Sequence, residues 1–310
     1  MRIVFFGTPD FALPSLKKLI ASGEDIVAVV TQPDRVKGRG HKLSQPPVKE
    51  YATAQGIAVL QPAGIRSEEF FKTIVGMKPD MIVVVAYGRI IPPAILTLPP
   101  KGCINVHASL LPKYRGAAPI QWSIVRGETK TGVTTMLMDE GLDTGDILLM
   151  EETEILSDDN AVTLGSRLSE MGADLLIATI RGIVQGMIRP VSQTGESTYA
   201  PIIRKEDGKI DWRASARDIF NLIRGMYPWP GGQCVFEGEK ITIIRSRVAD
   251  ADSGEAAGSI LEIHEDELHV GTGTGILGLL EVKPEGKNIM TGAAFARGRH
   301  IREGMRFEYQ

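Results

Sequence analysis

The sequence predicts an α/β protein, with a mostly parallel sheet domain followed by a small β-barrel domain. In the first half, short apolar runs alternate with helical patterns, which is typical of βαβ units. The last hundred residues hold mainly short strand-like runs, which favour a barrel. The chain has 310 residues, 34 of them glycine, and a domain averages about 150 residues, so two domains with many tight turns are expected.

The first domain is predicted to span residues 1–188. Each of its strands is a short apolar burst closed by turn residues, as in a buried sheet. The predicted strands are 3–6, 26–30, 57–60, 81–86, 103–107, 132–138 and 146–152. Helical spacing of Leu13, Leu16 and Leu19 predicts the first helix, and a long helix is predicted over about 161–185.

Residues 189–208 are predicted to be a linker, because prolines and glycines punctuate a polar stretch without helical period. The predicted barrel domain follows over 209–310, with one helix at about 214–225. Its strands are predicted at 233–236, 240–248, 258–264, 267–271 and 276–282.

Composition excludes several classes of protein. The 35 basic and 38 acidic residues give a net charge of −3, so any contact with nucleic acid must be local. Cys103 and Cys234 form no CxxC pair, and buried free thiols are expected. The longest apolar run is far shorter than the roughly 20 residues that cross a bilayer. A cytoplasmic protein is expected.

The first turn of the predicted sheet lacks the dinucleotide-binding motif, and three other common motifs are missing from the chain. The turn after the first strand, residues 7–10, is not GxGxxG, and the chain has no GxxxxGK[ST], HExxH or GxSxG. A nucleotide cofactor, a zinc protease and a serine hydrolase therefore lose their main support.

Two polar residues at the end of one predicted strand form a candidate site. Asn105 and His107 are two apart and project from the same side of a strand. An amide donor beside an imidazole suits the binding of a developing oxyanion or the movement of a proton. Taken alone, an Asn-x-His sequence is more often a satisfied turn.

An acidic, glycine-flanked loop over 138–146 supplies a possible partner. Its spacing does not match an EF-hand, whereas one carboxylate could orient an imidazole and favour its charged form. A solvated hairpin turn is the alternative. A second loop, 34–49, carries five Lys or Arg residues and one acid, which favours either a mobile clamp on a phosphate backbone or a solvated loop.

Together these segments resemble the methionyl-tRNA formyltransferase family. The resemblance covers nearly the whole chain and is carried by residues 6–9, 31–35, 38–40, 105–112, 114–121, 138–145, 199–201, 205–208 and 228–231. It implies a Rossmann-like, folate-binding sheet domain followed by an OB-like β-barrel domain. It also implies transfer of the formyl group of 10-formyltetrahydrofolate, a co-substrate, to the α-amine of methionine on initiator tRNA. It implies no metal, and a monomer is expected.

The resemblance also implies roles for particular residues. The catalytic positions are Asn105, His107 and Asp143. The folate pocket is expected at Tyr87, Gly88, Arg89, Ile90, Ile91, Ser109, Leu110, Leu111 and Pro112. Contacts to tRNA are expected from Arg35, Lys37, Arg39 and Lys42. Any RNA-binding face of the second domain would be a local patch, such as Arg297, Arg299, Arg302 and Arg306.

Three alternatives stay open at the level of sequence. A formyl-folate transferase acting on a small amine, of the glycinamide ribonucleotide or amino-sugar type, would use the same three catalytic positions. A non-catalytic RNA-binding protein could keep the fold. A hydrolase releasing formate would need water in the acceptor position.

Overall fold

A computed structural model describes residues 1–37, 42–249 and 256–308. Arg39, one of the expected tRNA contacts, lies outside the described residues. The chain forms two compact units. Unit 1 comprises Met1–Pro119, Lys130–Glu154 and Gly165–Ala200, and unit 2 comprises Ile120–Thr129, Ile155–Leu164 and Pro201–Gln310. None of the described helices combines the length and the apolar character that crossing a membrane requires.

Unit 1 is built on a seven-stranded sheet. The strands of this unit are β1 (Arg2–Gly7), β2 (Asp25–Val30), β3 (Arg35–Lys37), β4 (Lys42–Ser44), β5 (Val59–Leu60), β6 (Met81–Val85), β7 (Cys103–His107), β8 (Arg115–Gly116), β9 (Lys130–Leu137), β10 (Ile147–Glu154) and β11 (Tyr199–Ala200). The sheet order is β10–β9–β7–β6–β1–β2–β5. Strand β9 runs antiparallel to both of its neighbours, β7 and β10, whereas the pairings from β7 to β5 are all parallel, so the predicted mostly parallel sheet is confirmed.

Helices cover both faces of this sheet, as its apolar strands require. They are α1 (Leu13–Ala21), α2 (Pro47–Ala54), α3 (Glu68–Met77), α4 (Pro93–Leu96) and α6 (Ala161–Val184), whereas α5 (Pro119–Val125) belongs to unit 2 from Ile120 onward. Successive residues of a strand point to opposite faces. Phe5 therefore packs in the cluster that holds Leu16 of α1 and Leu176 of α6, whereas Phe6 packs in the cluster that holds Phe70 of α3.

The basic segment 34–49 contains more regular structure than a loop. Strands β3 and β4 pair antiparallel, with Arg35 opposite Ser44 and Lys37 opposite Lys42, and α2 begins at Pro47. Backbone pairing satisfies main-chain polar groups whatever the side chains are, so charge gave no indication of this hairpin.

The predicted linker is paired with unit 1 over its first part. Val191 bridges Ile147 in an antiparallel arrangement, and β11 runs parallel to β8. Unit 2 takes up the chain from Pro201. The short pairings involve one or two residues each, which is too few to leave an alternating pattern in the sequence.

Besides α5, the described residues of unit 2 form an antiparallel β domain with two helices. Its elements are α7 (Ala216–Gly225), β12 (Gly232–Phe236), β13 (Glu239–Ala249), β14 (Ile260–His264), β15 (Glu267–Gly271), β16 (Ile276–Pro284), β17 (Met290–Thr291) and α8 (Gly292–Gly298). The sheet order is β12–β13–β16–β15–β14, with β17 on β16. Antiparallel neighbours joined by close turns are what the sequence predicts here.

One short segment near the end of the chain links the two edges of this sheet. Glu308 bridges Val235 of β12, and Arg306 bridges Ser259, just before β14. Phe307 lies between them and is 1% exposed; its ring centroid is 4.9 Å from that of Trp212 and 5.3 Å from that of Phe236. The small barrel expected from the sequence thus closes around an aromatic core.

Candidate active site

Strand β7 presents two polar side chains where it ends. Asn105 is half-buried, and His107 is 6% exposed. Val106 between them is 3% exposed and packs in the core. The alternation of a strand therefore anchors the backbone on one face and directs Asn105 and His107 to the other, as the sequence predicts.

Asp143 lies in the connection between β9 and β10, and local interactions shape this loop. The Asp139 carboxylate accepts hydrogen bonds from the Thr144 hydroxyl at 2.8 Å and from the Gly141 amide at 3.1 Å. Gly145 passes so close to Leu137 that a Cβ would collide with the Leu137 carbonyl oxygen. Asp143 itself has a left-handed φ of 53°. This conformation costs a non-glycine residue free energy, so it persists because the surroundings hold it.

The Asp143 carboxylate meets both polar residues of β7. Its Oδ1 accepts a hydrogen bond from Asn105 Nδ2 at 3.4 Å, and its Oδ2 lies 3.7 Å from His107 Nδ1. Oδ2 also accepts the Gly116 amide at 2.9 Å. Three side chains predicted as one site, from segments 36–38 residues apart in sequence, thus lie together in unit 1.

The two ring nitrogens of His107 have different partners. Nε2 is 2.9 Å from the Tyr114 carbonyl oxygen. Because a carbonyl oxygen only accepts, Nε2 carries a proton and donates. Nδ1 faces the Asp143 carboxylate at 3.7 Å, a distance too long for a hydrogen bond. Nδ1 is therefore the ring atom at which a proton can come and go, and catalytic contacts of this kind are often long before substrate binds.

The residues expected to bind folate follow β6 and β7, two neighbouring strands of the sheet. Tyr87 is 1% exposed, and its ring centroid is 5.2 Å from that of Phe6; burial raises its pKa. Ile91 is buried, whereas Ile90 is 68% exposed. Arg89 donates to the carbonyl oxygens of residues 62 and 63 at 3.2 Å each. Gly88 has a left-handed φ of 78°.

The second expected folate segment is held by backbone contacts. Ser109 donates its hydroxyl proton to the Lys113 carbonyl oxygen at 2.6 Å, and the Leu111 amide donates to the Thr134 hydroxyl at 3.2 Å. Leu111 is 3% exposed, whereas Leu110 and Pro112 are half-buried. Both segments start at the carboxyl end of a parallel strand, where open sheets of this kind bind ligands. Their contact with folate stays a prediction.

The expected tRNA contacts are only partly described. Arg35 donates to the Gln32 side-chain oxygen. Lys37 of β3 and Lys42 of β4 are paired with each other through their backbones. In unit 2, Arg299 forms an ion pair with Glu239, and Arg306 donates to the Ser259 hydroxyl at 2.9 Å.

A lysine-lined cleft of unit 2 was not predicted from the sequence. It has a volume of about 640 Å³ and is lined in part by Lys205, Lys209, Lys240 and Lys283, all exposed. Thr242 pairs with Lys283 on one side and Gln233 on the other, and Gln233 bridges Lys209. These lysines are up to 78 residues apart in the chain, so only strand pairing groups them.

The comparisons with known proteins identify the chain as a formyl transferase. Residues 1–180 match the family model described as "Formyl transferase", and residues 202–300 match "Formyl transferase, C-terminal domain". The chain is 52% identical over 303 residues to the methionyl-tRNA formyltransferase of Thermodesulfovibrio yellowstonii, covering 98% of this chain and 97% of that protein. It is 50% identical over 306 residues to the one of Caldanaerobacter subterraneus, covering 98% and 99%.

This chain therefore belongs to the methionyl-tRNA formyltransferase family. Among solved structures, the N-formyltransferase from Helicobacter canadensis in complex with folinic acid and dTDP-3-aminofucose has a TM-score of 0.66 at 21% identity. The match covers 89% of this chain and 98% of that chain, so the two proteins share a fold over most of their length.

Proposed function

We propose that this protein transfers the formyl group of 10-formyltetrahydrofolate to the α-amine of methionine carried by initiator tRNA. The observation that carries the proposal is the meeting of Asn105, His107 and Asp143 at the end of β7, with Oδ1 and Oδ2 of Asp143 turned to the two other side chains. Relatives of about half identity over nearly the full chain carry the corresponding name.

The reaction exchanges one C–N bond for another. The amine nitrogen forms a bond to the formyl carbon, and negative charge grows on the formyl oxygen. The bond from that carbon to the folate nitrogen then breaks, and one proton passes from the amine to the folate nitrogen. The enzyme must therefore stabilise an oxyanion and relay one proton.

The three side chains are suited to these two tasks. Asn105 carries a second amide N–H beyond the one directed at Asp143, and this donor can bind the growing oxyanion. His107 keeps its Nε2 proton on the Tyr114 carbonyl, so its Nδ1 is the atom that exchanges a proton with the reacting groups. Asp143 is the carboxylate that faces Nδ1 and orients the ring from that side.

The RNA part of the acceptor is a polyanion, and the lysine-lined cleft of unit 2 has matching chemistry. Its four lysines outnumber its two acidic residues, Glu206 and Glu285. Lysines on one sheet face can each neutralise a phosphate. A local patch of this kind is compatible with a chain of net charge −3. The second proposed contact is made by Arg35, Lys37 and Lys42 of strands β3 and β4, together with Arg39, which lies outside the described residues.

The decisive experiment offers a labelled formyl donor to methionyl-tRNA and, in parallel, to amino-sugar nucleotides and glycinamide ribonucleotide. Formyl-methionyl-tRNA as the main product supports the proposal. Preferential labelling of a small amine would favour the small-amine alternative, with which the shared fold is compatible. Release of free formate without an acceptor would indicate a hydrolase, and no turnover with any acceptor would revive a non-catalytic role.

A further inference from the structure

The chain after α6 runs along the two loops that form the candidate active site. Val191 bridges Ile147 at the start of β10, and the Ser192 hydroxyl donates to Asp146 at 2.9 Å. Further on, Thr198 accepts two hydrogen bonds of 2.9 Å. Its hydroxyl accepts one from the Tyr114 amide, and its carbonyl oxygen accepts one from the Arg115 amide. Residues 191–200, which we call the strap, therefore contact both segments that flank His107 and Asp143.

One side chain of the strap is directed at the backbone of Asp143 itself. Gln193 Nε2 donates to the Asp143 carbonyl oxygen at 2.9 Å and to the Gly145 carbonyl oxygen at 2.8 Å. A single amide group thereby holds the main chain on both sides of Thr144. The two bonds use both N–H groups that a glutamine side chain has.

Arg115 determines which way this amide points. Its Nε and Nη2 donate to Gln193 Oε1 at 3.1 and 2.7 Å. A guanidinium only donates, so the amide oxygen must face Arg115 and the NH₂ group must face the two carbonyl oxygens. The neighbouring residue Gly116 donates to the Asp143 carboxylate at 2.9 Å. The same β8 segment thus fixes the side chain of Asp143 directly and its backbone through Gln193.

From this geometry we infer that Gln193, oriented by Arg115, is the positioning residue that holds Asp143 against His107. The inference rests on the proposed function, since it assigns Gln193 a role in that reaction. Asp143 has a left-handed φ of 53°, a conformation that persists only when neighbouring groups hold it. Two hydrogen bonds to the carbonyls at and beyond this residue are such a restraint.

The test measures kcat and both KM values in Gln193→Ala and Gln193→Glu. Gln193→Glu keeps the size and the pairing with Arg115 but directs an acceptor at two carbonyl oxygens. We expect kcat to fall about 10-fold to 100-fold in each variant, because a displaced catalytic group loses its alignment. The KM values for folate and methionyl-tRNA should change less than threefold, since the amide oxygen and NH₂ group of Gln193 are already bonded within the protein.

The matched control is Ser192→Ala, which removes the neighbouring hydrogen bond to Asp146 but leaves Asp143 held. Its kcat should stay within twofold of the parent. A kcat within twofold of the parent in either Gln193 variant would overturn the inference. If Gln193→Ala shows no cooperative unfolding transition and is therefore not folded, the kcat of Gln193→Glu is compared with that of the parent instead.

A double-mutant cycle separates positioning from general support of the fold. If Gln193 acts through Asp143, adding Gln193→Ala to Asp143→Asn lowers kcat by less than threefold beyond Asp143→Asn alone. A full multiplicative loss would identify a separate structural contribution and overturn the inference. The parent and Ser192→Ala also report on the proposed function, because failure of these two to formylate methionyl-tRNA rejects the reaction and not the role of Gln193.

Discussion

Two histidines of this protein face carboxylates, one in each unit, and their geometries differ. His269 on β15 has Nδ1 at 3.0 Å from Glu262 and Nε2 at 3.0 Å from Glu267, and Arg247 adds a bond to Glu267 at 2.7 Å. His107 has one nitrogen on a backbone carbonyl and the other at 3.7 Å from Asp143. Both rings are largely buried, with side-chain exposures of 9% and 6%.

The short contacts around His269 and the longer one at His107 suit different tasks. At His269 every ring nitrogen is saturated at hydrogen-bond distance, which ties neighbouring strands together and leaves no open position for a substrate. At His107, the Asp143 carboxylate accepts a hydrogen bond from the Gly116 amide at 2.9 Å. It lies 3.7 Å from Nδ1, so this ring nitrogen makes no hydrogen bond to it. Residue types alone do not separate these two sites; distances do.

The difference between the two histidine sites predicts the largest loss of activity for substitutions on β7. Asn105→Ala and His107→Ala should each lower kcat by about 100-fold or more, because the first removes an oxyanion donor worth about 3 kcal/mol and the second removes the group that relays the proton. Initial rates with labelled formyl donor measure this, and thermal unfolding checks the fold. Turnover near that of the parent in either folded variant would remove that side chain from the mechanism.

The lysine-lined cleft should affect binding and leave the chemical step alone. The double variant Lys209→Ala/Lys283→Ala should weaken tRNA binding about 10-fold and reduce the slope of log affinity against log salt by about 1.5, as loss of two phosphate contacts requires. Titrations of tRNA at several salt concentrations measure both. Lys72→Ala/Lys130→Ala is the control, because both lysines are exposed in unit 1. An equal loss in the control would contradict a specific site.

The cluster around His269 should affect stability only. Burial by itself raises the pKa of Glu267, but hydrogen bonds and charges from Arg247 and His269 outweigh it and hold this pKa below its ordinary value of 4.5. Such a lowered pKa contributes stability that is complete above the ordinary value and is lost as pH falls through the folded value.

Glu267→Gln should therefore lower the free energy of unfolding by about 1 kcal/mol at pH 7, with a difference from the parent that shrinks below pH 4.5. Denaturant titrations from pH 7 to pH 3 measure this, and kcat should stay within twofold. A constant difference down to pH 3 would show that ionisation of Glu267 is not involved.

The smallest effect is expected at the thiols. Burial raises the pKa of Cys103 to about 12 and raises that of Cys234 further, so neither is a thiolate at neutral pH and neither is reactive. Iodoacetamide at pH 8 should leave the native protein unmodified and fully active, and should modify both thiols in denaturant. Rapid modification of the native protein, measured by mass spectrometry, would contradict this.

Regular elements could be predicted well where burial repeats along the chain. The predicted helix over about 161–185 is observed as Ala161–Val184, because its apolar residues recur with helical period over many turns. The hairpin β3–β4 and the pairing of β11 with β8 could not be predicted, because two or three residues carry no period and their bonds are made by the backbone.

By itself the sequence determined that a polar pair ends a buried strand, that an acidic loop follows, and that the turn after the first strand lacks the dinucleotide-binding motif. These are local properties, set by side-chain periodicity and turn chemistry. Only the tertiary structure decided that His107 lies 3.7 Å from its carboxylate while both nitrogens of His269 are at hydrogen-bond distance from theirs. It also decided that Gln193 donates to the backbone at Asp143, and that lysines far apart in the chain line one cleft. Such contacts join distant segments, and their distances depend on how strands pair and loops close, which no local pattern encodes.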